Sequence, residues 1–175
     1  QTLPLSSFLE GPTITDQARY LGQPSHDSVS SLVPIQPRGT RPPFFAVHGG
    51  GGSVLFYRPL AQHLGVDQPF FGLQPLGMDG SEPPQSQVGE MANHYIQVIR
   101  EVQLRGPYFI GGFSAGATIA FEMARQLTDQ GERVGLLVSF DGAVLRDYFD
   151  VWDRESNYSM HKRLFKMAVW HLEAT

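Results

Sequence analysis

No cysteine occurs among the 175 residues, which excludes disulfides and cysteine-ligated metal sites and fits a cytoplasmic protein. There is no lysine/arginine block either. With 13 basic against 17 acidic residues and a net charge of −4, neither nucleic acid nor an anionic membrane surface is an expected partner. No apolar run approaches the length of a membrane span, and no charged n-region with an apolar h-region opens the chain. HExxH and clustered histidine spacings are lacking, so no metal site is expected. Internal repeats are lacking too. The length allows one domain with a sizeable core. The first residue, Gln1, stands inside what reads as an element, which predicts a piece of something longer.

Three zones differ in composition. Residues 1–21 hold one short helix signal: Gly11-Pro12-Thr13 punctuates, Thr13 with Asp16 resembles a capping box, and Ile14, Ala18 and Leu21 share a face. One helix cannot bury its own stripe, so that face is expected to pack outside the segment. Residues 22–42, rich in proline and serine, read as a linker leading into an edge strand. From Pro43 the pattern alternates. Apolar strand runs at 44–47, 70–73, 107–111 and 134–140 are separated by helical patterns at about 55–64, 88–103 and 117–130, the last stopped by Gly131. Continuous apolar strands between helices imply an α/β fold, a mostly parallel, doubly wound sheet covered on both faces. Residues 143–175 carry no strand signal, and their helical, aromatic pattern fits either a pair of core helices or a mobile cover over a site.

The most informative segment is Gly112-Phe113-Ser114-Ala115-Gly116, where an apolar strand gives way to a helix. A serine on so tight a turn is held in a strained backbone conformation with its hydroxyl exposed. The flanking glycines are needed because strand and helix pass too closely for a Cβ. A serine hydrolase or acyltransferase is implied, with Ser114 as nucleophile. Such a hydroxyl needs a base to take its proton and a third group to orient the base. Asp141 follows the strand 134–140 directly, where ligand sites of parallel sheets lie, and is the expected acid; it also reads as a turn aspartate. Asp147, Asp150 and Asp153 stand later, in a helical context.

Two backbone N–H donors must face the developing negative charge. Ala115, after the nucleophile, is one. The other is expected from the loop His48-Gly49-Gly50-Gly51-Gly52-Ser53, with Gly50 the best choice and the neighbours Gly49 and Gly51 the alternatives. That loop lacks the lysine of a phosphate-binding P-loop. His26, His63 and His94 read as surface or packing residues. A Ser…Asp…His order requires a histidine after Asp141; His161 and His171 follow it, both beside apolar residues in helix-patterned sequence that reads equally as an amphipathic face.

Several separate blocks, in order, resemble the thioesterase domain that ends polyketide and nonribosomal peptide synthetases. They are Phe44-Phe45-Ala46-Val47-His48-Gly49-Gly50-Gly51, Tyr57-Arg58-Pro59-Leu60-Ala61, Gly106 to Gly116, Ala120-Phe121-Glu122-Met123-Ala124 and Phe140-Asp141-Gly142. The resemblance covers about residues 33–145. It implies an α/β-hydrolase fold, a Ser-Asp-His triad, a helical lid from about residue 145, and release of an acyl chain by water or an internal nucleophile. The substrate would arrive on the phosphopantetheine arm of a carrier protein, with no cofactor resident in the domain. Residues 3–14 resemble the end of an acyl or peptidyl carrier domain, so the expected order is carrier tail (1–21), linker (22–42) and thioesterase domain (43–175). Ala117 stands where the family often repeats glycine. The family's histidine lies beyond the lid, in a segment after this chain stops, so an incomplete triad with negligible turnover alone is expected. Two other readings stay open: a free-standing editing thioesterase, which the carrier-like start argues against, and a catalytically silent domain that docks a carrier or holds an acyl group.

Overall fold

The computed structural model describes residues 13–21, 30–77, 83 and 85–142. It opens with α1 (Ile14–Leu21). The expected capping box is formed: the Asp16 N–H donates to Thr13 Oγ1 at 3.2 Å, and the Thr13 hydroxyl donates to Asp16 Oδ2. On the apolar stripe Ile14 and Ala18 are exposed. Residues 1–12 and 22–29 lie outside the described part.

Five strands form one sheet: β1 (Leu32–Gln36), β2 (Phe44–Val47), β3 (Phe70–Leu73), β4 (Tyr108–Phe113) and β5 (Val134–Phe140), in the order β1-β3-β2-β4-β5. β1 is an edge strand antiparallel to β3, and it lies inside the 22–42 stretch that the sequence pattern reads as linker, because Leu32 to Gln36 pair with Phe70 to Leu73. All other pairings are parallel. Between the strands come a 3-10 turn (Leu55–Tyr57) running into α2 (Arg58–His63), then α3 (Val88–Val102) and α4 (Ala115–Asp129). No helix among the described residues is long and apolar enough to cross a membrane.

The alternation of β2 builds two cores. Phe45 and Val47 face a layer made by α3 and α4, while Phe44 and Ala46 face Val54, Tyr57 and Ala61. Across the β2/β3 ladder Phe44 stands opposite Phe70 and Phe45 opposite Phe71, one aromatic pair on each face, with ring centroids 5.3 and 5.7 Å apart. Phe45 and Phe70 are fully buried, and each such side chain stabilises the fold by about 1.5–3 kcal/mol. α3 contributes Ala92, Tyr95, Ile96 and Ile99 at helical spacing to the first core.

The C-terminal stop expected at Gly131 is a complete Schellman motif. With φ at +79°, Gly131 donates its N–H to the Thr128 carbonyl and Glu132 donates to Leu127, both at 2.9 Å. This returns the chain directly into β5. The sequence pattern placed the start of the preceding helix at residue 117, whereas α4 begins at Ala115 and β4 runs on to Phe113. The glycines read as turn residues instead let strand and helix continue to the turn itself, leaving Ser114 alone to make it.

After β2 the chain leaves toward the layer of α2, and after β4 toward the opposite layer of α4. The two strands are neighbours. A crevice therefore opens at their carboxyl ends, the position where parallel sheets bind ligands.

Candidate active site

Ser114 stands at the mouth of that crevice with φ +52° and ψ −119°. A positive φ in a residue with a Cβ costs about 1–3 kcal/mol and persists only where the surroundings over-determine it. Here they do. The Ser114 N–H donates to the Phe140 carbonyl at 3.0 Å, extending the β4/β5 ladder by one rung, and the Ser114 carbonyl accepts from Ala117 at 3.0 Å, opening α4. Ser114 and Ala115 are both exposed. Ala115 is the first residue of α4, where helix N–H groups have no intrahelical partner and carry the positive end of the dipole.

The two glycines of the elbow are required by contact. A Cβ on Gly112 would stand 2.1 Å from the Gly116 carbonyl oxygen, and one on Gly116 would stand 2.1 Å from the His48 carbonyl oxygen and 2.8 Å from that of Val47. Gly116 thus lets α4 lie directly on the end of β2. Helix propensity alone favours Gly116→Ala by about 1 kcal/mol, but overpacking against a backbone that cannot yield costs more, about 3 kcal/mol. Gly116→Ala is therefore expected to lower the unfolding free energy by about 2 kcal/mol net, read from urea denaturation. An unchanged midpoint would contradict the close approach.

Next to Ser114 along the sheet is Asp141, the residue after β5. Phe113 and Phe140 pair in the ladder, so the residues following them leave the sheet side by side. Asp141 is exposed, with φ +47°, a conformation that aspartate and asparagine accept more readily than most residues. A Cβ on Gly142 would lie 2.5 Å from the Ala117 Cβ and 3.3 Å from the Ser114 carbonyl oxygen. This accommodates Ala117: its methyl sits where residue 142 has no side chain. Among the described residues no imidazole is hydrogen-bonded to Asp141. His161, His171 and the lid expected from about residue 145 lie outside them.

Across the crevice the loop after β2 turns back on itself. The Gly52 N–H donates to the Gly49 carbonyl at 3.0 Å, with φ of Gly52 at +77°. Gly50 is exposed at the corner, with nothing within 4 Å of the place a Cβ would occupy. Gly49 lies against the elbow: a Cβ there would be 2.9 Å from Phe113 Cδ1. Exposed Phe56 and Phe113 meet edge to face, centroids 5.2 Å apart, and line this side of the opening.

Three side chains that hold the site were not singled out by the sequence reading. The Tyr57 hydroxyl donates to the Val47 carbonyl at 2.8 Å. Burial drives its ionisation above the ordinary tyrosine range, against a backbone hydrogen bond from Phe113. That hydroxyl ties the 3-10 turn to the end of β2. His48 is buried, with Nδ1 2.6 Å from the Gly49 carbonyl oxygen and Nε2 3.0 Å from the Tyr95 hydroxyl. Burial lowers the His48 pKa and raises that of Tyr95. The available signal was chemical: a tyrosine on an otherwise apolar helix stripe must satisfy its hydroxyl somewhere. Of the other described histidines, His63 is exposed, with Nδ1 at 2.8 Å from the Pro59 carbonyl oxygen, and His94 is half-buried, with Nε2 at 2.8 Å from Ser31 Oγ.

Residues 42–151 match the family model of the thioesterase domain. Indigoidine synthase from Dickeya dadantii (strain 3937) is 41% identical over 133 residues, which take in 76% of this chain and 9% of that protein. A dimodular nonribosomal peptide synthase from Bacillus subtilis (strain 168) is 39% identical over 140 residues, 79% of this chain and 6% of its own length. Among solved structures, the NocB thioesterase domain in covalent complex with a fluorophosphonate nocardicin G analog superposes with a TM-score of 0.59 at 32% identity, covering 63% of this chain and 49% of that one. The chain thus spans a small part of the synthetases it matches. Its mixed sheet with helices on both faces is the α/β-hydrolase arrangement of the solved domain.

Proposed function

We propose, from the premise that this chain belongs to the thioesterase domain family, that Ser114 takes an acyl or peptidyl group from a carrier-bound thioester and passes it to water or to a nucleophile within the same group. The observation that carries this reading is the backbone of Ser114, the single residue between β4 and α4 and held at φ +52°. Strain of this kind gathers where a side chain must be presented.

In acylation the Ser114 oxygen bonds to the thioester carbon while its proton passes to an imidazole oriented by Asp141. Negative charge collects on the carbonyl oxygen, stabilised by the N–H groups of Ala115 and Gly50. Collapse of that intermediate breaks the carbon–sulfur bond, and the departing thiolate takes the proton from the imidazolium. In deacylation the imidazole removes a proton from water, or from a hydroxyl or amine of the acyl chain, and returns it to Ser114. The imidazole comes from a histidine after Asp141 in the chain; His161 and His171 are the candidates within this sequence. The thiol is the phosphopantetheine arm of a carrier domain, as the synthetase relatives imply. Residues 1–21 are assigned to the tail of such a carrier and 22–31 to the linker, since β1 belongs to the sheet.

The test is adduct mapping. Incubation with an alkyl fluorophosphonate, then proteolysis and mass spectrometry, is expected to place the phosphonate on Ser114. A protein that stays unlabelled, or is labelled on another serine, would support a carrier-docking domain without this chemistry.

A further inference from the structure

We propose that Tyr95 is a positioning residue that acts through the His48 ring to aim the Gly50 N–H into the crevice; this rests on reading Gly50 as an oxyanion donor. The argument runs along one chain of hydrogen bonds. The Gly49 carbonyl can only accept, so His48 Nδ1, 2.6 Å away, carries the ring proton. In the neutral ring Nε2 is then an acceptor, and the Tyr95 hydroxyl at 3.0 Å donates to it. The Gly49 carbonyl thus sets the tautomer, and the Tyr95 hydroxyl, bonded to Nε2, holds the ring where Nδ1 reaches that carbonyl. Burial keeps both rings uncharged: His48 is 7% and Tyr95 1% exposed.

The Gly49 carbonyl accepts a second bond from the Gly52 N–H at 3.0 Å, so its direction is fixed from two sides. The peptide between Gly49 and Gly50 is planar and trans, and in such a unit the N–H points opposite to the C=O. Whatever pins the Gly49 oxygen toward His48 thereby turns the Gly50 N–H away from it, to the open side of the loop. None of the hydrogen bonds among the described residues uses that N–H. Glycine at 50 and 51 leaves the loop with little stiffness of its own. The preorganisation that an oxyanion donor needs must then come from outside the loop, and α3 supplies it through Tyr95.

The experiment uses the full protein that carries this chain and an alkyl fluorophosphonate, whose phosphoryl oxygen occupies the oxyanion position as Ser114 is phosphonylated. Rates are resolved into kinact and KI. Tyr95→Phe removes one hydroxyl and keeps the ring. It is expected to lower kinact about tenfold with KI within twofold, a smaller loss than deletion of an oxyanion donor. Replacing the Gly50 N–H by an ester oxygen, with glycolic acid at position 50, is expected to lower kinact about 100-fold. In the ester background Tyr95→Phe should add nothing, because the group it aims is gone. His48→Asn, whose amide N–H can donate to Gly49 without a partner at Nε2, should make kinact insensitive to Tyr95→Phe; this pair also serves if Tyr95→Phe alone does not fold.

A normal rate in the ester variant would overturn Gly50 as donor, and this proposal with it. A slow ester variant beside a wild-type rate in Tyr95→Phe would overturn only the role of Tyr95. Losses that multiply in the double variant, or that persist in the His48→Asn background, would do the same.

Discussion

In the full protein that carries this chain, Ser114→Ala is expected to abolish the covalent acyl intermediate and to lower turnover by a factor on the order of 10⁶, since a triad without its nucleophile retains only binding and oxyanion stabilisation. The substitution removes one oxygen and leaves the elbow's hydrogen bonds in place, because both are made by the main chain: Ser114 N–H to Phe140 and the Ser114 carbonyl to Ala117. Alanine suffers the same penalty at φ +52° as serine, so stability should change by less than about 1 kcal/mol. The measurement pairs intact-mass detection of the acyl-enzyme with a urea curve on the same sample. An undiminished adduct in a folded Ser114→Ala protein would refute the assignment of the nucleophile.

The second large effect is expected at Asp141. In that full protein Asp141→Asn should reduce turnover by about 10⁴, as in other triads, because an amide in place of the carboxylate favours the wrong imidazole tautomer and cannot stabilise its charged form. The backbone makes this a clean substitution. At φ +47° asparagine is as comfortable as aspartate, so the loop after β5 keeps its course and folding is unaffected. Steady-state rates and thermal midpoints of Asp141→Asn, Asp147→Asn and Asp150→Asn, compared side by side, decide the matter. Asp147→Asn or Asp150→Asn proving more damaging would show that the acid lies further along the chain.

Local pattern and tertiary closure contributed unequally to what could be read in advance. The strands at 44–47, 70–73 and 134–140 were legible to the residue, because continuous apolar runs bounded by glycine and proline have few alternatives. So was the capping of α1, which depends on residues three apart. The elbow was legible in kind but not in extent. That α4 begins at Ala115 depends on how closely Gly116 lies on the His48 carbonyl, whose oxygen is 2.1 Å from where a Cβ would stand, a contact between elements far apart in sequence. For the same reason the His48–Tyr95 and Tyr57–Val47 bonds escaped the reading. A histidine at a strand end and a tyrosine on a helix stripe announce a need for partners, and only the packed fold says which. The direction of β1 was equally hidden, since a short strand of intermediate burial carries no mark of being antiparallel.

Consider finally how the β2/β4 ladder, closed between positions 47 and 112, bears on when reactivity first arises. No local segment contains the whole crevice. The glycine loop can form as soon as β2 is made, and the elbow turn as soon as β4 meets its helix, but neither alone offers an oxyanion site. Bringing them together requires closing a long stretch of chain, an entropically late event in folding. On the proposed roles of Ser114 and Gly50, a nascent domain on the ribosome, or one whose central strands have come apart, would carry an inert serine, and chemical competence would arrive with the joining of the central strands.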